Sequence, residues 1–523
     1  MSRILNHEVQ WAMPDTSAIF NGYARLRVSR LHSQDSSDAQ RATLKKLVHR
    51  ARETTFGRQH GFAKISSVED YQRAVPLRRY ENFWQDYWRD SYPVMDGVTW
   101  PGRIPYFAFS SGTSGGPTKN IPVSNEMMRA NRRAALDLLV HHFANRPNSR
   151  VLAGRNFLLG GNAALVPLAP GVRGGDLSGI AAARVPWWAR PYYFPSGQAG
   201  QIADWEEKTR VLSALSLKKN IRSIAGTPSW LLLFIEELRR IQNIESGRLV
   251  DFYPDLELVC HGGVSFAPYR ERFTALISGS RAELREVYSA SEGFVAVADR
   301  GPEDGLRLIA DNGLFAEFVP IEEIGSSSPT RHWALNVETG QNYALGLTTC
   351  AGIWSYILGD TVRVLTRFPL RLAVTGRISY SLSAFGEHLI GEELENAVSA
   401  AASTISASIS DFLAGPVYPE DGSARGHHRY LVEFAKPVNT TQVAMFTAFL
   451  DEQLCAANLD YADHRRGDFG IGRPEVILLP CGTFAAWMKG RGKLGGQNKV
   501  PRVVSDPQAF RKIQAELQIA PAS

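Results

Sequence analysis

The chain has only four cysteines among 523 residues, Cys260, Cys350, Cys455 and Cys481, with no CxxC and no paired Cys/His spacing. A zinc site of ordinary spacing and a disulfide framework are therefore excluded, and reduced, mostly buried thiols are expected. No apolar run approaches the roughly 20 residues of a membrane helix. The opening MSRILNHEVQWAMPDTS has no basic segment leading into an unbroken apolar stretch, so the expected compartment is cytoplasmic, with no membrane partner. The Walker pattern GxxxxGK[ST] does not occur, and the glycine-rich stretch at 107–122 is not GxGxxG. Charge of one sign is scarce too: the formal net charge is +6, with basic residues spread along the chain, so no nucleic-acid partner is required. Solvated surface accounts for that excess; a basic cleft drawing in an anionic nucleotide or acid is the sharper alternative. What remains is ordinary globular material, 44% apolar and 21% charged, long enough for two or three domains.

The apolar pattern divides the chain. ATLKKLVHRARETTFGRQHGF carries Leu44, Leu47, Val48 and Ala51 at helical spacing and predicts a helix ending near Gly57. SSVEDYQRAV predicts a helix capped by Ser66 or Ser67 and stopped by Pro76, and YENFWQDYWRD a short amphipathic one. From about residue 104, strand-length runs (YFAFS, RNFLLGG, RSIAG) alternate with helical stretches (NEMMRANRRAALDLLVHHF, WEEKTRVLSALSLKK, SWLLLFIEELRRI), the pattern of parallel sheets with helical crossovers. A β-rich section follows, with LFAEFVPI, HWALN, YALGLTT and WSYILGDTVRVL, Gly and Asp marking turns. After VTGRISYSLSAFGEHL a fresh α/β unit begins: helix GEELENAVSAAAS, strand RYLVEFA, helix VAMFTAFLDEQLCAANL and strand EVILLP. The expected class is α/β, a large domain over 1–383 with a β-barrel-like section and a small mobile α/β domain over 384–523.

Chemistry concentrates in FAFSSGTSGGPTKNIP, 107–122. A strand delivers the chain into Ser110, Ser111, Gly112, Thr113 and Ser114, where glycines permit close backbone approach and hydroxyls cluster with exposed N–H groups. That is a nest for phosphate oxygens, with Lys119 adding charge at the β or γ position. Three stretches gain meaning beside it. VYSASEG (287–293) offers Glu292, suited to a magnesium ion bridging phosphates, or else a charge at a helix N-terminus. YILGDTVRV (356–364) places Asp360 at a turn, to accept from two ribose hydroxyls or simply to form the turn. GGQNKVPR (495–502) presents Lys499, a mobile cation or a solvated surface charge.

As an ordered set these stretches resemble adenylate-forming enzymes, and within them the Gretchen Hagen acyl-acid amido synthetases. TTFGRQHGF, EDYQRAVPLRRYENF and the SSGTSGGPTKNIP loop resemble that family's N-terminal run. FAEFVP, YILGDTVRV, and CGTFAAWM followed by QNKVPR resemble its later motifs, so the likeness spans roughly 38–505. Three positions depart from the pattern. Ile357 stands for an arginine, Ala290 for a serine between Tyr288 and Ser291, and His388 for the lysine of a GEK motif.

The resemblance implies an ATP- and Mg2+-dependent ligase that converts a small-molecule carboxylic acid to an acyl adenylate, releasing pyrophosphate, and passes the acyl group to an amine or amino acid, releasing AMP. It implies that Ser110, Ser111, Gly112, Thr113, Ser114 and Lys119 hold the β and γ phosphates and that Glu292 binds Mg2+. Asp360 would hold the ribose, with Tyr288, Ser291 and Arg377 as further nucleotide contacts. Lys499 would reach the α-phosphate and the carboxylate. For the substrate pocket, Arg132, Arg133, His261 and His388 are candidates, the arginines being more readily explained by solvent or salt bridges and His261 by a core or loop position. A CoA-type thioester ligase and a nucleotide-binding regulatory protein without turnover are the alternatives; the acid, the amine and the oligomeric state stay open.

Overall fold

The computed structural model describes residues 14–110, 119–202, 204–244, 247–263, 266, 269–301, 303–378, 382, 389, 391–418, 426–458, 461–462, 465, 471–492 and 499–519. Local signals set many of its helices. Ser67 caps Val68–Ala74, accepting from the Asp70 N–H at 3.0 Å while the Asp70 carboxylate accepts from the Ser67 N–H at 3.1 Å. Ser124 caps Asn125–Asn145, accepting from the Met127 N–H at 3.0 Å, and its hydroxyl also donates to the Cys350 carbonyl, just past the strand Asn342–Thr349. The helix expected to end near Gly57 is instead two, Ser36–Ala51 and Thr55–Gln59, with Thr54 capping the second. Gly57 is obligatory there, because a Cβ would sit 2.1 Å from the Ala51 carbonyl oxygen.

The main sheet has eleven strands among the described residues. Its spatial order is Leu314–Pro320, Asn342–Thr349, Ile353–Arg367, Leu370–Arg377, Leu306–Leu308, Gly293–Val297, Glu283–Ala290, Leu258–Gly262, Ile221–Gly226, Arg155–Leu159, Tyr193–Phe194. Pairing is antiparallel from the first strand to Glu283–Ala290 and parallel from there to the last. The barrel-like section is the antiparallel half of this one sheet, with no closing pair among the described strands. HWALN forms no strand: His332 makes an isolated bridge to Phe318 and the chain then turns. Asp360, expected at a turn, lies inside the continuous strand Ile353–Arg367. Ile357 pairs with Gly346 and Thr361 with Ala344, so three residues oppose one, and Gly359 takes φ 92° to make the bulge.

A four-stranded sheet orders Lys119–Val123, Tyr106–Ser110, Val172–Gly175 and Val166–Ala169. Its first two strands form a hairpin closed by the Ser110–Lys119 pair, so Lys119 begins a strand that sequence reading left inside the loop. The three-stranded sheet joins Ile409–Val417, His427–Phe434 and Glu475–Leu479. Its first strand carried no expectation.

The largest core packs Phe56, Phe62, Tyr71, Phe83, Trp88 and Trp354 between the N-terminal helices and the antiparallel half. Trp354 is fully buried; truncation of such a side chain costs about 3–5 kcal/mol. Among the described residues no apolar cluster mixes residues up to 378 with residues from 382 onward. Cys260 and Cys350 are buried, whereas Cys481 is exposed and Cys455 half-buried, so the thiols are less uniformly interior than expected. Among the described residues no helix is long and apolar enough to cross a membrane.

Candidate active site

Ligand sites in such sheets form in the crevice outside the carboxyl ends of parallel strands, and here the pairing changes from parallel to antiparallel at Glu283–Ala290. The candidate residues gather there. Tyr288 ends this strand, Ser291 and Glu292 form the turn into Gly293–Val297, and Gly263 follows Leu258–Gly262.

Asp360 is held on both sides. The Tyr288 hydroxyl donates to its Oδ2 at 2.8 Å, and Arg377 Nε donates to Oδ1 at 2.7 Å from the residue paired opposite it. The bulge at Gly359 gives Asp360 this aim, which a regular pleat would not. Tyr288 is buried, and burial together with the Asp360 charge pushes its pKa well above the ordinary tyrosine value, so it stays a donor.

Glu292 is buried, and burial followed by the nearby Asp360 charge raises its carboxyl, with Lys119 and a hydrogen bond from Tyr356 acting the other way. Tyr356 is itself buried and its pKa is pushed far up by burial and by Glu292, which fixes it as the donor. Two neighbouring carboxylates, whose mutual repulsion a positive charge between them would relieve, suit a hard cation bound by one or two carboxylates plus phosphate oxygens. No cluster of three or more His, Cys, Asp and Glu side chains that could hold a metal ion is present among the described residues.

Lys119 is half-buried with its ammonium 5.4 Å from the Tyr80 ring centroid, and the Tyr80 hydroxyl accepts from the Asn120 N–H at 2.9 Å. Ser110 ends the facing strand. Ser111, Gly112, Thr113, Ser114 and His388 lie outside the described residues.

Lys499 comes to the same crevice from the C-terminal unit. Its ammonium is 3.2 Å from where a Cβ on Gly263 would be, and that point is 3.9 Å from the Thr227 hydroxyl; any side chain at Gly263, where φ is 82°, would displace it. Desolvation of the ammonium, then repulsion from Arg377, lower its pKa to about 8, with Asp360 opposing. Lys499 as a whole is exposed, so the crowding concerns the ammonium end and solvent along the stem limits the shift.

His261 is buried, stacked on Phe266 at 3.5 Å, with Nδ1 lacking a protein partner among the described residues; burial brings its pKa down to about 3. It pairs in register with Glu286, whose carboxyl burial pushes up to about 7. Arg132 and Arg133 are exposed and donate to backbone carbonyls, of Arg184 at 3.1 Å and Asp311 at 3.3 Å. Sequence reasoning brought Tyr288, Glu292, Asp360, Arg377, Lys119 and Lys499 to one place. The glycines after His261 in CHGG, Gly263 among them, were expected to approach the nucleotide or the acyl group; sequence reasoning missed Tyr356, whose letter stood in the quoted YILGD, and Tyr80 and Thr227, which carried no signal.

Solved structures share this arrangement of chain. An acyl acid amido synthetase, GH3.15, superposes with a TM-score of 0.76 at 18% identity, covering 94% of this chain and 95% of that one. A 2-hydroxyisobutyryl-CoA ligase in the postadenylation state gives 0.61 at 15% identity over 91% of each. The fold is thus that of adenylate-forming ligases.

Family models place the chain within that class. The GH3 family N-terminal domain matches 26–159 and 173–282, the central domain 307–377 and the C-terminal domain 392–508, and the chain belongs to the GH3 family. Curated relatives include indole-3-acetic acid-amido synthetase GH3.3 of Arabidopsis thaliana, 25% identical over 56% of this chain and 51% of that protein. Probable indole-3-acetic acid-amido synthetase GH3.11 of Oryza sativa subsp. japonica is 24% identical over 58% and 52%. The match to these relatives spans about half their length.

Proposed function

We propose that the protein is an ATP-dependent acyl-acid amido synthetase. The observation that carries this reading is the approach of Lys499 to the crevice that holds Asp360, Tyr288 and Glu292. In the first half-reaction a carboxylate oxygen of the acid attacks the α-phosphorus of ATP and the bond to the β-phosphate bridge breaks, releasing pyrophosphate. In the second, an amine nitrogen attacks the acyl carbon, the adenylate oxygen leaves with its electron pair as AMP, and the nitrogen gives up a proton. Such chemistry is catalysed by positioning and by neutralising charge on phosphate oxygens.

The chain's residues divide that work. Asp360, aimed by Tyr288 and Arg377, accepts from the ribose hydroxyls. Lys119 and the hydroxyls from Ser110 to Ser114 hold the β and γ phosphates. Glu292 would hold Mg2+, which supplies charge neutralisation on the phosphates when bound. Lys499, protonated below about pH 8, sets its charge beside the carboxylate and α-phosphate, so adenylation falls as pH rises through that value. The two-domain division, 1–383 and 384–523, is part of this reading and is supported by the separation of apolar clusters between 378 and 382. Lys499 then belongs to a unit that covers the crevice and excludes water from a hydrolysable adenylate. The lack of a membrane-crossing helix among the described residues supports a cytoplasmic enzyme.

The test is a mass-spectrometric search for a co-purified acyl adenylate. It is followed by assays of the identified acid, with indole-3-acetic acid as a further probe, against an amine and amino-acid panel and against CoA. Amide formation with AMP release supports the proposal; product with CoA alone overturns it. The GGQNKVPR context of Lys499, in place of the Ser-Gly-Lys usual in CoA ligases, favours the amide.

A further inference from the structure

Among the described residues, two polar side-chain contacts flanking Lys499 join the part of the chain up to residue 378 to the part from 382 onward. Lys489 Nζ lies 2.7 Å from Glu206 Oε1 on the helix Trp205–Ser216. Arg502, three residues after Lys499, donates to the Tyr269 hydroxyl at 3.4 Å. Tyr269 sits just before the helix Arg270–Ile277, six residues past the Gly263 against which the lysine ammonium rests. The two contacts contrast with what holds Arg502 inside its own unit: Glu395 at 3.2 Å, Asp411, the Phe412 carbonyl at 3.2 Å and the Phe412 ring at 4.8 Å. The guanidinium is therefore fixed first to the C-terminal unit and only lightly to the rest. Lys489 and Glu206 are 57% and 62% exposed, so their pair is open to water and salt. A unit that must hold Lys499 during one half-reaction and release it for the next needs such contacts: enough to set a position, too weak to lock it.

We propose that Lys489–Glu206 and Arg502–Tyr269 are positioning contacts, which seat the C-terminal unit so that Lys499 meets Gly263 and which separate when the unit moves away. The inference rests on the amido synthetase reading for its purpose but not for its test. Full-length protein is treated with a water-soluble carbodiimide, which joins a carboxylate and an amine already in contact as an amide while the reagent takes up the water as a urea. Digestion and mass spectrometry are expected to recover a Glu206–Lys489 cross-linked peptide. Its absence overturns the proposal whatever reaction the protein catalyses.

The second measurement is acetylation of Lys499 by acetic anhydride across a pH series, which reads the titration of that amine. With the contacts broken the ammonium returns to water, and its titration is expected to rise by about one pH unit or more in Glu206→Lys and by less in Tyr269→Phe. The swap Glu206→Lys with Lys489→Glu is expected to restore it. Thermal melting identifies any variant that fails to fold, and Tyr269→Phe, which keeps the buried ring, remains as the mild variant. A Lys499 titration that is identical in wild type and folded Tyr269→Phe and Glu206→Lys proteins removes the positioning role. The identified acid and amine, by contrast, bear only on the enzymatic reading.

Discussion

Glu292 and Asp299 flank the same strand, Gly293–Val297, and each is 6% exposed, yet their carboxyls are displaced in opposite directions. Burial opposes ionisation in both. At Asp299 it is outweighed by Arg371, which donates through Nε at 2.9 Å and Nη2 at 2.6 Å, with Arg307 at 3.7 Å, and the carboxyl is held below its usual range. At Glu292 no such fork is present among the described residues; Asp360 adds repulsion and the carboxyl is raised. Equal burial with opposite outcomes separates a carboxylate whose counter-ion is built into the fold from one whose counter-ion must arrive with a ligand.

Changing either residue breaks the comparison in a different place. The largest expected effect is on stability: Asp299→Asn leaves Arg371 buried without its anion, at a cost of about 3–5 kcal/mol in urea unfolding. A loss within 1 kcal/mol would place Asp299 among dispensable surface pairs. Next is Lys499→Ala, expected to remove acid-dependent pyrophosphate exchange with melting unchanged; more than about a tenth of the activity left, or under ~1.4 kcal/mol of barrier, takes Lys499 out of its role. Glu292→Gln reverses Asp299→Asn: unfolding free energy is expected unchanged or slightly higher, since an unfavourable buried charge is gone, while Mg2+-dependent turnover drops more than tenfold, ~1.4 kcal/mol. The smallest change is Tyr288→Phe, which removes one donor to Asp360 and should weaken nucleotide binding by about 0.5–1.5 kcal/mol in calorimetric titration.

Acidification sharpens the same contrast. Asp299, with its folded pKa below the unfolded value, contributes stability that is present above the unfolded value and lost as pH falls through the lowered one. Glu292, with a raised pKa, favours the folded state as pH falls through that raised value, but binding of Mg2+ with nucleotide requires the ionised form. Affinity for Mg2+ with ATP should thus decline on acidification before the protein loses stability, by up to about tenfold per pH unit, and Glu292→Gln should flatten that dependence. Coincident decline of binding and stability would show that the two carboxylates do not differ in this way.

The acidic turn and the late lysine could be picked out because each is a compact group of small and charged residues, whereas most of the phosphate loop lies outside the described residues. Capping by Ser67 was readable for the same reason. The local structure of Asp360 was not readable, since a Gly-Asp pair signals a turn unless flanking strands pull it into a bulge. HWALN failed as a strand because alternation does not show whether a partner edge is free. Tyr356 and Thr227 carried no separate signal, as nothing local distinguishes a buried tyrosine that donates to a carboxylate from one that fills a core.

By itself the sequence determined the residue types, the alternation of strands and helices, and the family to which the ordered motifs belong. The tertiary structure decided which carboxylate is neutralised by arginine, which way Asp360 points, and that Lys499 comes to rest on Gly263. Those outcomes depend on desolvation and on charges brought together from distant parts of the chain, and both exist only once the strands are paired.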